Sequence, residues 1–136
     1  MGSIIRIKTS WIIHLFALLH AIVAISCRLG GIEDELLLTI LTMTMAMIVC
    51  LQRGLNIEVT AATIIVVNIF GYLIGNFGAE VLQAFITKPY AVHALSTFCT
   101  TEILGWSIVA LTKIFRARRK RTYNIIDTPY LSWLIL

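Results

Sequence analysis

Four apolar segments separated by short polar clusters make up most of this chain, and each is close in length to the thickness of a bilayer. They cover residues 11–27, 36–51, 55–86 and 90–115. A helix needs about 17–25 apolar residues to cross the hydrocarbon core. The second segment has 16 residues and is therefore expected to include Glu35 or Gln52. We predict an all-α, polytopic integral membrane protein with four transmembrane helices.

The composition supports this class and limits the number of domains. Of 136 residues, 59% are hydrophobic and 13% are charged, whereas soluble domains carry about 25% charged residues. This length has room for a single domain, so we assign residues 1–122 to a four-helix transmembrane domain and residues 123–136 to an apolar C-terminal tail. The tail is expected to form a short interfacial helix, to contact a partner, or to begin a truncated fifth helix.

The basic residues are distributed unequally between the predicted loops, and this predicts the orientation of the helices. If both termini are cytoplasmic, nine of the 11 Lys and Arg residues lie inside, while Arg28 and Lys88 lie outside. Basic residues are enriched in the cytoplasmic loops of membrane proteins. We therefore predict a multi-pass protein of the cell membrane with cytoplasmic N and C termini.

Glu102 lies deep within the fourth apolar segment. Counted from Tyr90 it is roughly 18 Å along a helix, near the level expected for Asn68 in the antiparallel third segment. A charge at this depth costs at least about 2.5–3.5 kcal/mol, so we expect a neutral carboxyl group bonded to Asn68 or to a threonine hydroxyl. Two roles stay open. Glu102 fixes the helix register, or it forms an ion, proton or ligand site.

The third segment is long and carries polar residues on one face. Its 32 residues would form a helix of about 48 Å against a hydrocarbon core of about 30 Å, so it must project, tilt or break. At 3.6 residues per turn, Glu58, Asn76 and Glu80 lie within one stripe. Either they extend the intramembrane polar site, or the two carboxylates lie at opposite membrane surfaces.

Gly71, Gly75 and Gly78 form a small-residue face on the same segment. Such residues let another helix backbone approach closely. The partner helix belongs either to the same chain or to another subunit, so the glycines also raise the hypothesis of a homo-oligomer or of a partner membrane protein.

A basic run follows the fourth segment at Arg116, Arg118, Arg119, Lys120 and Arg121. Next to a cytoplasmic helix end, each of these charges contributes about 1 kcal/mol to the binding of anionic lipid headgroups. Nucleic-acid binding is the alternative for such a run, and we do not expect it because no aromatic residues are interleaved with the charges.

The remaining residues suggest neither a metal site nor an enzyme. Cys27, Cys50 and Cys99 form no C-x-x-C pair and are interpreted as apolar packing residues. The spacing of the three histidines does not predict a metal pair, and no catalytic or phosphate-binding motif occurs in the sequence. The threonines of the second segment are interpreted as packing residues. We expect no cofactor and no enzymatic activity.

Two functional hypotheses follow from these features. In the first, the chain is a membrane-embedded subunit, or a sensing or assembly module, which works through helix–helix contacts. In the second, it is an oligomeric ion or proton channel or transporter that uses Glu102 and Asn68. Measurements of ion flux in liposomes would separate the two.

The orientation can be tested by labelling single cysteines in whole cells with a membrane-impermeant reagent. We expect labels in the loop of Glu33, Asp34 and Glu35 to react from outside, and labels at Ser3 and Asn124 to react only after the membrane is permeabilised. Reaction of the Glu33–Glu35 loop from the cytoplasmic side would show that the orientation is inverted.

Overall fold

The computed structural model describes residues 8–126 of the chain, with side chains described as far as Arg118. It contains the helices α1 (Thr9–Gly30), α2 (Glu35–Gln52), α3 (Ile57–Gln83) and α4 (Pro89–Ile126). All regular secondary structure within this range is helical, which confirms the predicted all-α class. Most of the predicted C-terminal tail, residues 127–136, lies outside the described residues.

Each of the four helices is long and apolar enough to cross a membrane. The candidate spans have 22, 18, 27 and 30 residues, and the last of them is the Pro89–Arg118 part of α4. Helix α2 reaches the necessary length by including both Glu35 and Gln52, as its short apolar segment required. Four such helices suggest a membrane protein.

Two glycines in the left-handed conformation end the first two helices and reverse the chain. Gly31 has φ 66° and Gly54 has φ 69°, values that a residue with a side chain rarely adopts. The amide of Ile32 donates to the carbonyl of Cys27, and the amide of Leu55 donates to that of Cys50. Both are the C-terminal hydrogen bonds expected where a helix ends at such a glycine.

Helices α3 and α4 begin at residues that suit a helix N-terminus. The side chain of Asn56 caps α3 by accepting a hydrogen bond from the amide of Val59. Pro89 begins α4, at a position where its missing amide proton costs no hydrogen bond.

Helix α3 is one uninterrupted helix of 27 residues. At 1.5 Å per residue it is about 40 Å long, which exceeds a hydrocarbon core of about 30 Å. The predicted segment of residues 55–86 is thus slightly longer than the helix, and the helix does not break at its glycines. Helix α4 is longer than its predicted segment, since it continues past Phe115 through the basic run to Ile126.

The helices form a closed antiparallel ring. Helix α1 contacts α2 and α4, α3 contacts the same two helices, and α2 also contacts α4 across the bundle. The loop containing Asp34 lies at one end of the bundle, together with the start of α4. The loop containing Arg53 lies at the other end, where Arg116 donates a hydrogen bond to the Arg53 carbonyl. We refer to these as the Asp34 end and the Arg53 end.

The apolar core fills the half of the bundle nearer the Arg53 end. Ile13, Met45, Val49 and Ile108 are fully buried there. The complete core cluster consists of Ile12, Ile13, Met45, Ala46, Val49, Cys50, Val67, Leu104, Ile108 and Val109. Many large apolar side chains elsewhere face outward, as is expected of helices that are surrounded by lipid.

The predicted glycine face packs within the chain. A Cβ atom at Gly71 would lie 3.0 Å from a Leu104 methyl group, and one at Gly78 would lie 3.1 Å from the Ser96 hydroxyl oxygen. These glycines therefore permit α3 to approach α4, and they give no support to an interface with another subunit. A tighter approach occurs at Gly105 of α4, where a Cβ atom would lie 2.6 Å from a side-chain carbon of Ile13. Gly105 lies outside the small-residue face that the sequence pattern indicated.

Substitution of Gly105 tests the contact between α1 and α4. Ile13 is fully buried and has little room to move, so Gly105→Ala should lower the free energy of unfolding by about 1–3 kcal/mol. Unfolding by SDS in mixed micelles, followed by circular dichroism, would measure the change.

Gly75→Ala is the matched control for this prediction. The nearest atom to a Cβ at Gly75 is the Thr100 hydroxyl oxygen at 3.9 Å, an ordinary contact distance. Because alanine favours a helix over glycine by up to about 1 kcal/mol, this variant should be as stable as the wild type or more stable. Equal destabilisation by both substitutions would contradict the assignment of the tight contact to Gly105.

Candidate functional site

A cavity of about 340 Å³ lies between the helices in the half of the bundle nearer the Asp34 end. We call it the polar cleft and define it by six of its lining residues: His20, Asp34, Asn68, Asn76, His93 and Thr100. Along α4 it extends from His93 to Leu104, about 16 Å at 1.5 Å per residue. It therefore reaches about halfway through a bilayer core of about 30 Å.

The wall formed by α4 is a stripe of hydroxyl groups at helical spacing. Ser96, Thr97, Thr100 and Thr101 all line the cleft below His93. They recur at intervals of three or four residues and so share one face of the helix. Opposite them, Thr39 and Thr42 of α2 line the cleft as well. The interpretation of the α2 threonines as packing residues is therefore incomplete.

An acid–histidine pair closes one side of the cleft at the Asp34 end. Nε2 of His93 lies 2.5 Å from Oδ2 of Asp34, and Asp34 is 7% exposed. His93 is in the first turn of α4, whereas Asp34 precedes α2. The pair therefore connects the loop between α1 and α2 to α4.

His20 is the most deeply buried ionisable side chain of the cleft, with 1% of its surface exposed. Its Nδ1 lies 2.7 Å from the carbonyl oxygen of Phe16, so Nδ1 carries a proton and donates it. Its Nε2 lies 3.0 Å from the Thr42 hydroxyl oxygen and 3.2 Å from the Leu38 carbonyl oxygen. These contacts connect α1 to α2.

The wall formed by α3 combines amide side chains with exposed backbone. Asn68, Tyr72 and Asn76 line the cleft at successive turns. The Ser96 hydroxyl donates a 2.8 Å hydrogen bond to the carbonyl oxygen of Gly75. Gly71 and Gly75 are themselves lining residues, so the small-residue face contributes directly to the wall of the cleft.

Glu102 lies outside the cleft, on the side of α4 that faces α1. Oε1 of Glu102 is 2.6 Å from Nδ1 of His14, and Trp106 donates a 3.1 Å hydrogen bond from Nε1 to Oε2. The rings of His14 and Trp106 are 6.3 Å apart between centroids, in an edge-to-face arrangement. A single proton between His14 and Glu102 satisfies both atoms, whichever residue carries it.

The prediction that Glu102 bonds to Asn68 or to a threonine hydroxyl is wrong. Asn68 donates instead to the carbonyl of Ile64 in its own helix. The side chain of Glu102 is 18% exposed and that of His14 is 56% exposed. The pair therefore lies at the outer surface of the bundle, where α1 and α4 meet.

The other predicted site residues lie apart from both clusters. Glu58 is exposed in the first turn of α3, and Glu80 is exposed near the opposite end of the same helix. Neither residue lines the cleft, so of the predicted stripe Asn76 reaches it and the two carboxylates do not.

The described part of the basic run lies at the Arg53 end. Arg116 donates to the Arg53 carbonyl, and Arg118 is exposed. The side chains of Arg119, Lys120 and Arg121 lie outside the described part.

Two of the three cysteines are buried, as expected of packing residues. Cys27 and Cys50 are enclosed, whereas Cys99 is exposed on the surface of α4. Among the residues that the structure describes, no three His, Cys, Asp or Glu side chains are grouped so that they could hold a metal ion.

The contacts of the three histidines were not predicted from the sequence. His14, His20 and His93 each contact a residue distant in the sequence, on another helix or at its end. The spacing of histidines within one helix contains no information about such partners. The hydroxyl stripe of α4 and the threonines of α2 can both be recognised in the sequence. Two polar helix faces in one apolar bundle predict a cavity between them.

Comparisons with protein-family models, with curated proteins and with solved structures found no match to this chain. The interpretation of the two polar clusters therefore depends on their geometry.

A double-mutant cycle tests the assigned partner of Glu102. Glu102→Leu should destabilise the protein by about 1–3 kcal/mol because it leaves His14 without its partner. In the Glu102→Leu background, His14→Leu should destabilise the protein much less than it does in the wild type. The difference between these two effects is the coupling energy, which should be about 0.5–3 kcal/mol. The free energies of unfolding come from SDS titration in mixed micelles.

The same cycle with Asn68→Leu in place of His14→Leu is the control. Asn68 bonds within its own helix, so its effect and that of Glu102→Leu should add to within about 0.5 kcal/mol. Coupling to Asn68 together with additivity for His14 would contradict the assigned pairing.

Proposed function

We propose that the protein is a non-enzymatic, four-span module of the cell membrane that senses a polar ligand, or assembles around one, by binding it in the polar cleft. The observation that carries this proposal is a polar cavity that enters the apolar bundle from the Asp34 end and is lined by all four helices. With cytoplasmic termini, as the basic residues predict, the cleft opens on the outer side of the membrane.

The contacts around the cleft support a sensing role. His20 connects α1 to α2, Ser96 connects α4 to α3, and the pair of His93 and Asp34 connects α4 to the first loop. A ligand in the cleft lies next to all of these contacts. It can therefore favour one arrangement of the helices over another, provided that it binds the two arrangements with different affinities.

The cluster of His14, Glu102 and Trp106 supports contact with a second copy or with a partner membrane protein. It presents hydrogen-bonding groups at an exposed surface of two apolar helices. Polar groups of this kind are costly next to lipid and promote helix association when they meet a partner. The basic run in the last part of α4 supports additional contact with anionic lipid headgroups.

Conduction of ions or protons through Glu102 and Asn68 stays a prediction and is the second candidate. It is favoured by the position of Asn68 and Asn76 in the wall of the cleft. Two observations favour ligand binding over it. Glu102 lies on a different side of α4, and the core around Ile13, Val49 and Ile108 fills the bundle beyond the inner end of the cleft.

Thiol accessibility tests whether the cleft is open to water from outside. In a background in which Cys27, Cys50 and Cys99 are replaced by alanine, Asn76→Cys should react with a charged, membrane-impermeant thiosulfonate added to intact cells. Asn76 faces the cleft, and charged thiol reagents react only where water reaches the sulfur.

Phe77→Cys is the matched control for this measurement. Phe77 is the next residue of α3, at nearly the same depth, and it is 68% exposed on the outer surface of the bundle. This cysteine should react at least tenfold more slowly because it faces lipid. Equal rates at the two positions, or no reaction of Asn76→Cys from either side, would reject an open cleft.

A further inference from the structure

The hydroxyl groups of the cleft donate their protons to backbone carbonyls. Thr39, Thr42, Thr97 and Thr101 each donate to the carbonyl four residues earlier in the same helix. Ser96 donates to the carbonyl of Gly75 in α3. Because a carbonyl oxygen can only accept, the proton of each hydroxyl is already used. What these five groups have left to offer a ligand is oxygen lone pairs.

The amide and imidazole groups of the cleft have the same bias. The side-chain nitrogen of Asn68 donates to the Ile64 carbonyl, which leaves its oxygen available. Nδ1 of His20 donates its proton to the Phe16 carbonyl, so Nε2 of the neutral ring is an acceptor, with the Thr42 hydroxyl 3.0 Å away. These side chains thus present lone pairs to the cleft, and a positively charged ligand complements them.

The charged residues at the rim agree with this bias. Asp34, Glu35 and Arg28 all line the cleft. The rim therefore carries one arginine and two acidic side chains. His93 contributes a hydrogen bond to Asp34.

Two further side chains of the lining bear on the chemistry of the ligand. Thr100 is 8% exposed and lines the cleft, and its hydroxyl takes part in none of the hydrogen bonds found among the described residues. Tyr72, which is 64% exposed, also lines the cleft, and aromatic faces attract organic cations. The volume of about 340 Å³ is typical of sites for small molecules and far exceeds what a single dehydrated metal ion fills.

We propose that the polar cleft binds a small ammonium group, supplied either by a free amine or by the headgroup of an aminophospholipid. This inference rests on the proposed function, since it names the ligand class of the same cleft. The oxygen lone pairs of the cleft meet the cationic group, Glu35 and Asp34 complement its charge, and Tyr72 contributes an aromatic ring to the wall. A phospholipid headgroup would in addition bring a phosphate to Arg28 at the rim.

The test is the thermal unfolding temperature of the purified full chain in nanodiscs that contain only anionic phosphatidylglycerol. Choline and ethanolamine should raise the Tm in a saturable manner, because a ligand that binds the folded state stabilises it. The uncharged probe 3,3-dimethyl-1-butanol has the shape of choline without its charge and should leave the Tm unchanged. Potassium chloride at equal ionic strength controls for hydrated inorganic cations.

Paired variants locate the binding in the cleft. Glu35→Gln should weaken choline binding by roughly five- to tenfold, because it removes one nearby opposite charge. Glu80→Gln is its matched control, since it makes the same change at the same end of the bundle but outside the cleft, and it should leave binding unchanged. Tyr72→Leu should weaken binding, whereas Tyr72→Phe keeps the ring and should retain it.

The lipid source is distinguished by a second set of nanodiscs in which phosphatidylethanolamine replaces half of the lipid. If the headgroup is the ligand, this lipid raises the Tm, added ethanolamine has no further effect, and Arg28→Gln removes the protection. If a free ammonium compound is the ligand, choline raises the Tm by the same amount in both lipids, and Arg28→Gln does not reduce this rise.

Three results would overturn the inference. Equal stabilisation by 3,3-dimethyl-1-butanol would show recognition by shape, and equal stabilisation by potassium chloride would show a site for inorganic cations. The absence of a Tm change with choline, ethanolamine and phosphatidylethanolamine would exclude an ammonium ligand. In each case the proposed function still stands if Asn76→Cys reacts from outside, and it fails separately if that cysteine is inaccessible.

Discussion

The close approach of α1 and α4 at Gly105 is the contact on which the rest of the bundle depends. Because Gly105 has no side chain, the fully buried Ile13 lies directly against the backbone of α4. Met45 and Val49 of α2 belong to the same core cluster as Ile13. Helices in lipid gain no hydrophobic driving force from burying apolar groups against one another, so close packing of this kind is a main source of their association. The half of the bundle nearer the Arg53 end is held in this way.

The other half is held by hydrogen bonds and small residues. Its enclosed apolar residues include Ala24, Cys27 and Ala94, which fill little space. His20 contacts the Thr42 hydroxyl of α2, and Ser96 donates to the Gly75 carbonyl of α3, so both connect neighbouring helices there. Since lipid offers no hydrogen-bonding partners, polar groups at this depth must bond within the protein. The combination of small residues and inward polar groups leaves the volume that becomes the polar cleft.

The helices could be predicted from the sequence because their signal is local. Four apolar segments between polar clusters defined four spans, and the shortest one reached its length by including Glu35 and Gln52. The end of α4 was less well predicted, because the charges that end an apolar segment do not end a helix. Helix α4 continues through Arg116 and Arg118 to Ile126.

The candidate site was predicted only in part because it depends on which helix faces meet. Asn68 and Asn76 were singled out and do line the cleft. Glu102 was placed next to Asn68 by counting depth, but depth does not specify direction around a helix. The partner of Glu102 is His14 of α1, and the contact between α1 and α4 that brings them together depends on Gly105, a glycine outside the motif that drew attention.

Helix α4 carries both polar clusters on different sides, and this suggests how they are related. The hydroxyl groups of Ser96 and Thr100 face the cleft, whereas Glu102 faces α1 and contacts His14. A helix is stiff over the distance of less than two turns that separates these residues. A ligand that moves α4 relative to α2 and α3 would therefore also change the geometry between Glu102 and His14, at an exposed surface of the bundle. If the cleft binds a ligand as proposed, its occupation would be coupled to the surface available for contact with another membrane protein, and the coupling free energy would be the difference in the free energy of ligand binding between the two positions of α4.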